Sequence, residues 1–544
     1  MQLFLRSLNC KYLFSSHYGG TDAGLCIRRL ICSAKTTSSS SSQSFDSIMS
    51  ERRRQAGNTI IVEVDNRHDI PDLCNLCQRF GPLQKVYYFR NRRQKCQVLV
   101  EFADLHASSN LLRECKTLHA DGFPVWSRFL KHEPSKKLPA NTSPAVDIDT
   151  VTIPSDEEVL TSLSQSSTVS DQMTNFYETE RLNDLELRLG FLVCKQIEEF
   201  VSGIYPNGMV LPFGSLVNGF GRHACDIDMV YCVPPEQKGV LCFQGKQQLV
   251  NDRTLTQRVL ETLGDLLHYL VPGVSQVHRI LRARVPIVKF QHDITDLECD
   301  LTLNNMSGVD MSRILHFYSL LNPCIRPLMY TVRKWATASR VTEKAPGSWV
   351  TNFQLTLMVL FHLQQKGLVP SIKSFKGRSV IGGKVAGENV KEHCDDVRDS
   401  SKNAEELLLS FFEFYSSFDF KSKGISPYTG NTVEKPDYSP MYIQNPLDRQ
   451  LNASRNVGVS DLRKLQTCMS DALWTLQKAN CKTSAGGSSW GIGAIFKPST
   501  TRDRHMQVTQ KRFQVQELFQ DNQAKSSESG YVVEATVSGV KSNF

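Results

Sequence analysis

Three carboxylates and one glycine-serine turn carry the chemistry this sequence is equipped to do. The stretch Leu211-Pro212-Phe213-Gly214-Ser215 is followed, after a spacer ending at Cys225, by Asp226-Ile227-Asp228-Met229-Val230-Tyr231. On an extended segment alternate side chains share a face, so Asp226 and Asp228 present hard oxygen donors to the same side. Such donors suit Mg²⁺, with Mn²⁺ as the alternative cation, and a pair of such ions activates a hydroxyl while bridging the phosphates of an in-line displacement. Gly214 lets the backbone come close to a ligand and Ser215 adds a hydroxyl and an amide, which together make a phosphate-binding turn. A third carboxylate must complete this site. Asp300, in Leu297-Glu298-Cys299-Asp300-Leu301-Thr302-Leu303, is the candidate.

For these groups to meet, Arg284 to Phe290 and Leu297 to Leu303 must form a hairpin across the polar turn 291–295, bringing Asp300 alongside Asp226 and Asp228. Arg279, Arg282, Arg284 and Lys289 then supply a basic surface for phosphates. Helical periodicity flanks the strands over Met173 to Ile204 and Gln257 to Leu270. Beyond Ser307 the signal is helical over Asp310 to Leu321, Pro323 to Ser339, Asn352 to Lys366, Ala404 to Phe420 and from Ser460 onward. The dense aromatics Phe411, Phe412, Phe414, Tyr415 and Phe418 read as core.

A hydrophobic residue, Gly-Ser, a spacer of this length and an Asp-x-Asp strand, with a distant Asp300, resemble the signature of the DNA polymerase β-like nucleotidyltransferases. Residues 326–336 and 346–358 further resemble the central domain of the poly(A) and poly(U) polymerases of that superfamily. The resemblance implies that Asp226, Asp228 and Asp300 are catalytic metal ligands. It implies that Phe213, Gly214, Ser215, Arg333 and Lys334 meet the triphosphate, and that Asn352 and Phe353 stand where the family has a Ser-Tyr pair on phosphate and base. Asn304 and Asn305 match its Asn-Asn pattern, whereas Met311-Ser312 replaces its ribose-contacting Asn-Thr. Residues 439–457 resemble its nucleotide-recognition loop, with Asn445 in place of an Asp. Arg455 stands where uridylyl-adding relatives carry a His, a departure that favours ATP over UTP.

The 544 residues imply several domains, and a net charge of +8 permits a polyanionic partner without requiring one. Of 16 cysteines only Cys74 and Cys77 form a Cys-x-x-Cys, without a second pair at zinc spacing, so they read as reduced thiols near a core. No apolar run is long enough to span a bilayer, so no membrane insertion is expected. Residues 1–45 are basic, Ser-rich and interleaved with apolar residues, which fits a mitochondrial transit peptide better than a secretory signal; the other reading is a disordered tail.

Residues 58–132 read as βαββαβ with a last strand at Pro124 to Phe129, an order similar to the RNA-recognition motif. Where RNA-binding versions stack bases on aromatics, this chain has Ile61, Gln97 and Leu99, and only Phe102 matches. Dimerisation or positioning is therefore expected of this module, with RNA contact through Arg90, Arg92, Arg93 and Lys95 as the second reading.

Residues 133–172 read as linker, 173–306 as the nucleotidyltransferase palm, 307–480 as a helical central domain and 481–544 as a flexible tail, an α+β architecture throughout. With the leader, the resemblance points to the mitochondrial members of the polymerase family. That implies transfer of AMP from ATP to RNA 3′ ends in the matrix by a homodimer joined through the small domain. The competing readings are a terminal uridylyltransferase and a catalytically silent RNA-binding scaffold.

Overall fold

Short runs of alternating apolar residues build two separate five-stranded sheets, and the helical periodicities pack around and beyond them. The computed structural model describes residues 44–115, 117–118, 124–125, 127–132, 147–151, 154–233, 252–344, 347–375, 403–479 and 490–496. The transit-peptide expectation over 1–43, the loop at 234–251, the charged insertion at 376–402 and most of the tail lie outside the described residues.

Among the described residues the first helix, α1 (Phe45–Gly57), runs straight into the small domain. Its polar sequence hides it: only Phe45, Met49, Ala56 and Gly57 are buried, while Ser44 caps it by accepting from the Ser47 amide. There follow β1 (Thr59–Val64), α2 (Ile70–Gln78), β2 (Leu83–Arg90), β3 (Cys96–Phe102), α3 (Leu105–Glu114), β4 (Phe129–Lys131) and β5 (Ile148–Thr150), in the sheet order β4-β1-β3-β2-β5. The last strand of the expected pattern is displaced. Residues 124–125 pair instead with 117–118, and β4 begins only after Arg128, whose buried guanidinium donates to Gly57 O and Thr59 O while its carbonyl accepts from the Ile61 amide. Cys74 and Cys77 are buried free thiols, pushed up to about 11 and about 12 by burial.

The stretch expected to be linker carries structure. β5 adds in parallel to β2. Next, α4 (Asp156–Gln165) opens on a Ser155/Glu158 capping box and buries Val159 and Leu163. The single helix expected over 173–204 is two, α5 (Val169–Glu180) and α6 (Asp184–Ser202), because Asn183 and Glu186 form a capping box that restarts the helix.

The palm sheet contains β6 (Met209–Phe213), β7 (Ile227–Cys232), β8 (Val274–Ile280), β9 (Ile287–His292) and β10 (Leu297–Leu303), in the order β8-β9-β10-β7-β6, with α7 (Asp252–Leu270) between β7 and β8 in sequence. Ile227, Met229, Cys299 and Leu301 point into the palm core with Val259, Leu260 and Leu263 of α7. The alternate residues, Asp228 and Asp300 among them, therefore face the other side.

The helical domain comprises α8 (Ser307–Leu321), α9 (Ile325–Ala338), α10 (Asn352–Gln365), α11 (Ala404–Ser416), the hairpin β11 (Lys423–Ser426) and β12 (Asn431–Glu434), α12 (Val459–Ala479) and the one-turn α13 (Ile492–Ile495). Phe411, Phe412 and Tyr415 are fully buried in its core, as expected, and Tyr415 donates its hydroxyl to Met358 O. Residues 490–496, expected to be flexible tail, instead bury Ile492, Ile495 and Phe496 in the same core, held by Gln172, which accepts from the Ile492 amide. Among the described residues no helix is long and apolar enough to cross a membrane.

Candidate active site

The sheet register sets the site. Along one row across the palm, Phe213 of β6 is paired with Asp228 of β7, Asp228 with Asp300 of β10, and Asp300 with Lys289 of β9. Cross-strand partners share a face, so the expected meeting of Asp228 and Asp300 follows from the pairing, and Asp226, two residues before Asp228, stands at the entry to the same face. The loop that delivers Asp226 is pinned by Glu186 of α6, which accepts from His223 Nδ1 at 2.7 Å and from the Ala224 amide at 3.1 Å.

These carboxylates strain against one another. Burial, then the charges of Asp300 and Asp226, push Asp228 up to about 7. Asp226 is raised by burial and by Glu298, and Asp300 by burial, an effect that Lys289 offsets in part. Lys289 Nζ lies 3.1 Å from Glu298 and 3.6 Å from Asp300 Oδ1, and that oxygen is buried without a hydrogen-bond partner. As the side chains stand, no three His, Cys, Asp or Glu among the described residues are placed to hold a metal ion. The donors nevertheless fit divalent cations: they are hard oxygens, one is orphaned, and their mutual repulsion is relieved by a cation and by modest side-chain rotation.

Gly214 is fixed by the same crowding. It sits at φ +71, and a Cβ there would lie 2.2 Å from Asp228 Oδ2. Its amide donates to Ser312 Oγ at 2.7 Å, and that hydroxyl donates to Gly308 O. Ser312, in the pair that replaces the family's Asn-Thr, thus serves the turn. Phe213 is a packing residue here, its ring lying against Gly308.

The other expected nucleotide contacts divide. Asn304 closes β10 at φ +53 and accepts from the Val233 amide at 2.9 Å, splicing β10 to β7. Arg333 is turned inward: it donates to Phe220 O at 2.8 Å and to Thr356 Oγ1 at 2.6 Å, so it ties α9 and α10 to the loop after Ser215, and burial lowers it to about 10. Lys334 pairs with Asp156 at 3.0 Å. Asn352 is exposed at the first turn of α10, beside the half-buried Phe353. Gln354 joins the recognition loop to that turn, donating to Ala453 O at 2.9 Å and to Asn456 Oδ1 at 2.6 Å. Arg455 is exposed, between the two residues of the recognition loop that Gln354 holds.

Sequence reasoning missed Arg222 and Lys344, whose positive charges act on Asp226, and Gln354, whose role depends on contacts about a hundred residues apart. A Lys preceding the Pro-Gly of 346–347 was the available signal for Lys344. Arg284 reaches Asp448 of the recognition loop at 3.4 Å, and Arg279 pairs with Asp265. In the basic loop of the small domain, a candidate for RNA contact, Arg93 pairs with Asp293 at 3.0 Å, the Arg92 amide donates to Asp296 and Lys95 pairs with Glu63 at 2.9 Å, with the side chains of Arg92, Arg93 and Lys95 exposed.

Comparison with known proteins agrees with this geometry. Residues 169–320 match the family model "Poly(A) RNA polymerase, mitochondrial-like, central palm domain", and 405–451 match "Cid1 family poly A polymerase". The chain is 34% identical to "Poly(A) RNA polymerase, mitochondrial" of Drosophila melanogaster, over 89% of this chain and 85% of that protein. With the Homo sapiens protein of the same name the identity is 30%, over 84% and 81%. The fold superposes on crystal structures of mtPAP in complex with GTP (TM-score 0.73, 28% identity) and with ATPgammaS (TM-score 0.71, 29% identity), each covering 84% of this chain and 100% of the other.

Proposed function

The chain belongs to the mitochondrial poly(A) RNA polymerase family, and on that footing we propose how its residues divide the work. It is a polynucleotide adenylyltransferase, moving AMP from ATP to RNA 3′-hydroxyls. Asp226, Asp228 and Asp300 hold divalent cations, which we take to be Mg²⁺. When bound, these ions lower the pKa of the attacking hydroxyl and neutralise charge on the phosphates. Gly214 lets the backbone come close to the triphosphate and Ser215 holds it by its hydroxyl and amide, with Arg222 and Lys344 supplying positive charge nearby. Asp300, through the oxygen left without a hydrogen bond, accepts the proton of the RNA 3′-hydroxyl as its oxygen attacks the α-phosphorus. The bond from that phosphorus to the bridging oxygen breaks, and pyrophosphate leaves toward the basic side.

Phe353 stacks on the base, with Asn352 and Arg455 at its edge; Arg455, in place of a His, supports ATP as the preferred substrate. Arg333 and Lys334 act from behind, Arg333 by holding the loop after Ser215. We place the protein in the mitochondrial matrix, which the import-like leader and the names of its relatives support. We also propose a homodimer through the small domain, whose helical layer exposes Leu105, and Leu76 in a groove of about 500 Å³ lined also by Arg79, Phe80 and Arg113.

The row Phe213, Asp228, Asp300, Lys289 carries this reading. Its test is extension of a labelled oligo(A) RNA with Mg²⁺ and each ribonucleotide in turn. Long products with ATP alone are expected. UTP-dependent products would transfer the assignment to uridylylation, and an active Asp300→Asn variant would remove Asp300 from the chemistry.

A further inference from the structure

β6, which delivers Gly214 and Ser215, is the outermost strand of the palm sheet, bonded to a neighbour on one side only. In an antiparallel pair alternate residues turn both backbone groups outward, and an edge strand leaves those groups unpaired. Val210 is such a residue, yet both its groups are taken by side chains. Glu198 Oε2 of α6 accepts from the Val210 amide at 3.0 Å, Arg53 Nη1 of α1 donates to the Val210 carbonyl at 2.7 Å, and Arg53 Nη2 closes the ring on Glu198 Oε2 at 2.9 Å. Two residues on, along the same edge, Pro212 has no N–H to satisfy. One guanidinium and one carboxylate thus stand in for a missing strand.

The helix that brings Arg53 is anchored on the elements that hold the turn. Arg52 pairs with Asp184 of α6 at 2.6 Å, and Asp46 pairs with Arg313 of α8 at 2.9 Å, next to the Ser312 that accepts from the Gly214 amide. Val210 lies four residues before Gly214, whose Cα is already in contact range of Asp228. A shift of β6 is therefore felt where the triphosphate sits relative to the metal ligands.

We propose that Arg53, acting with Glu198, is a positioning residue for the nucleotide, and that α1, the first helix after the leader region, is a working part of the catalytic scaffold. This rests on the reading that Gly214 and Ser215 hold the triphosphate. Arg53 touches neither ATP nor RNA; it sets the height of the turn over Asp228.

The test is steady-state RNA extension by the purified enzyme. Arg53→Met raises the KM for ATP and lowers kcat/KM by roughly tenfold, as a sub-ångström misplacement does, while the KM for RNA stays put. Arg53→Lys keeps one donor and recovers part of the loss. Arg54→Gln, on the exposed side of α1 where Arg54 pairs with Glu51, leaves the kinetics unchanged. Combined with Ser215→Ala, Arg53→Met costs less than the product of the single effects, because both act through one turn. Should Arg53→Met fail to fold, Glu198→Gln opens the same ring and carries the same expectation. A melting shift in these variants with unaltered ATP kinetics overturns the positioning role. Unaltered ATP kinetics in Ser215→Ala removes the premise about the turn instead, so the two failures are told apart.

Discussion

Replacing Gly214 with alanine tests the site where backbone geometry and catalysis are hardest to separate. The substitution has two costs. At φ +71 an L-residue is strained by about 1–2 kcal/mol, which the fold survives. The new Cβ would also stand 2.2 Å from Asp228 Oδ2, and moving to the 3.0 Å that real Cβ contacts observe needs about 0.8 Å of displacement. Asp228 Cγ and Cβ lie at 3.2 and 3.3 Å from the same point, so rotation of the carboxylate alone leaves little slack. Either the Asp228 oxygen proposed to hold a cation turns away or the turn rises off the strand. Misplacement on this scale costs about 10²-fold, or about 2.7 kcal/mol in transition-state binding. Gly367→Ala separates the two terms: it sits at φ +68 with nothing within 4 Å, so it carries the backbone strain without the collision. We expect both variants to melt lower by a similar amount and only Gly214→Ala to lose kcat/KM in ATP-dependent RNA extension. Near-normal extension by Gly214→Ala, or an equal loss in Gly367→Ala, would refute the reasoning.

Asp300→Asn keeps the shape of β10 but removes the charge and the proposed proton acceptor; extension falls by more than about 10³-fold with the far-ultraviolet circular dichroism unchanged. Arg188→Ala breaks a nearly solvent-free pair with Glu101, where Nη1 and Oε2 are 2.5 Å apart and Glu101 has no exposure. It costs about 3–5 kcal/mol in chemical denaturation, and Arg188→Met with Glu101→Leu restores part of that. His292 is fully buried between Thr295 and Gln196, and burial lowers it to about 4 from an ordinary 6.5. Its depressed folded pKa makes stability complete above pH 6.5 and erodes it between 6.5 and about 4, by up to ~1.4 kcal/mol per pH unit. His292→Asn shows a flatter slope in that window when denaturation midpoints are compared across pH. Phe353→Ala raises the KM for ATP by about tenfold through loss of base stacking, and an unchanged KM would move the base elsewhere.

What was legible in the sequence was the part whose chemistry is local. Asp226, Asp228 and Asp300 announce themselves because a carboxylate between apolar strand residues has few other reasons to be there, and the register then aligns Asp228 with Asp300. The turn at Gly214 was legible for the same reason, but its cause was not: the glycine is demanded by Asp228, a cross-strand contact. Arg333 shows the limit. Its position in the motif suggests a phosphate ligand, yet its guanidinium is spent on Phe220 O and Thr356 Oγ1, partners brought close only by the packing of α9 and α10. α1 escaped because the charged run Glu51, Arg52, Arg53 and Arg54 leaves no apolar periodicity to read, whereas Arg52 and Arg53 are ligands for Asp184, Glu198 and Val210 O. Residues 154–172 read as linker and 490–496 as flexible tail since each has too few apolar residues for a core of its own; they contribute Val159, Leu163, Ile492 and Ile495 to one supplied elsewhere.

The small domain poses the sharpest choice between fold and function, and burial decides it. In an RNA-binding sheet of this order the open face stacks bases. Here Ile61, Tyr87, Leu99 and Phe129 on that face pack against Leu185, Leu189 and Leu192 of α6, and Ile61, Leu99 and Leu192 have no exposure at all. Opening the face would return four large side chains of the sheet to water at about 1.5–3 kcal/mol each, comparable to the stability of a whole domain. The rim adds two ion pairs, Arg128 with Glu199 at 2.7 Å and Arg188 with Glu101, and a hydrogen bond from the Tyr87 hydroxyl to Asp184 at 2.6 Å. Base stacking on this face is therefore closed to RNA. The same packing gives the domain a mechanical role, since its β2–β3 loop grips Asp293 and Asp296 in the turn of the β9–β10 hairpin, and β10 ends that turn only a few residues before Asp300. Two of the three carboxylates proposed to be catalytic thus lie on strands whose neighbours are steadied from outside the palm, Asp228 beside the β6 edge held by α1 and Asp300 beyond the turn held by the small domain.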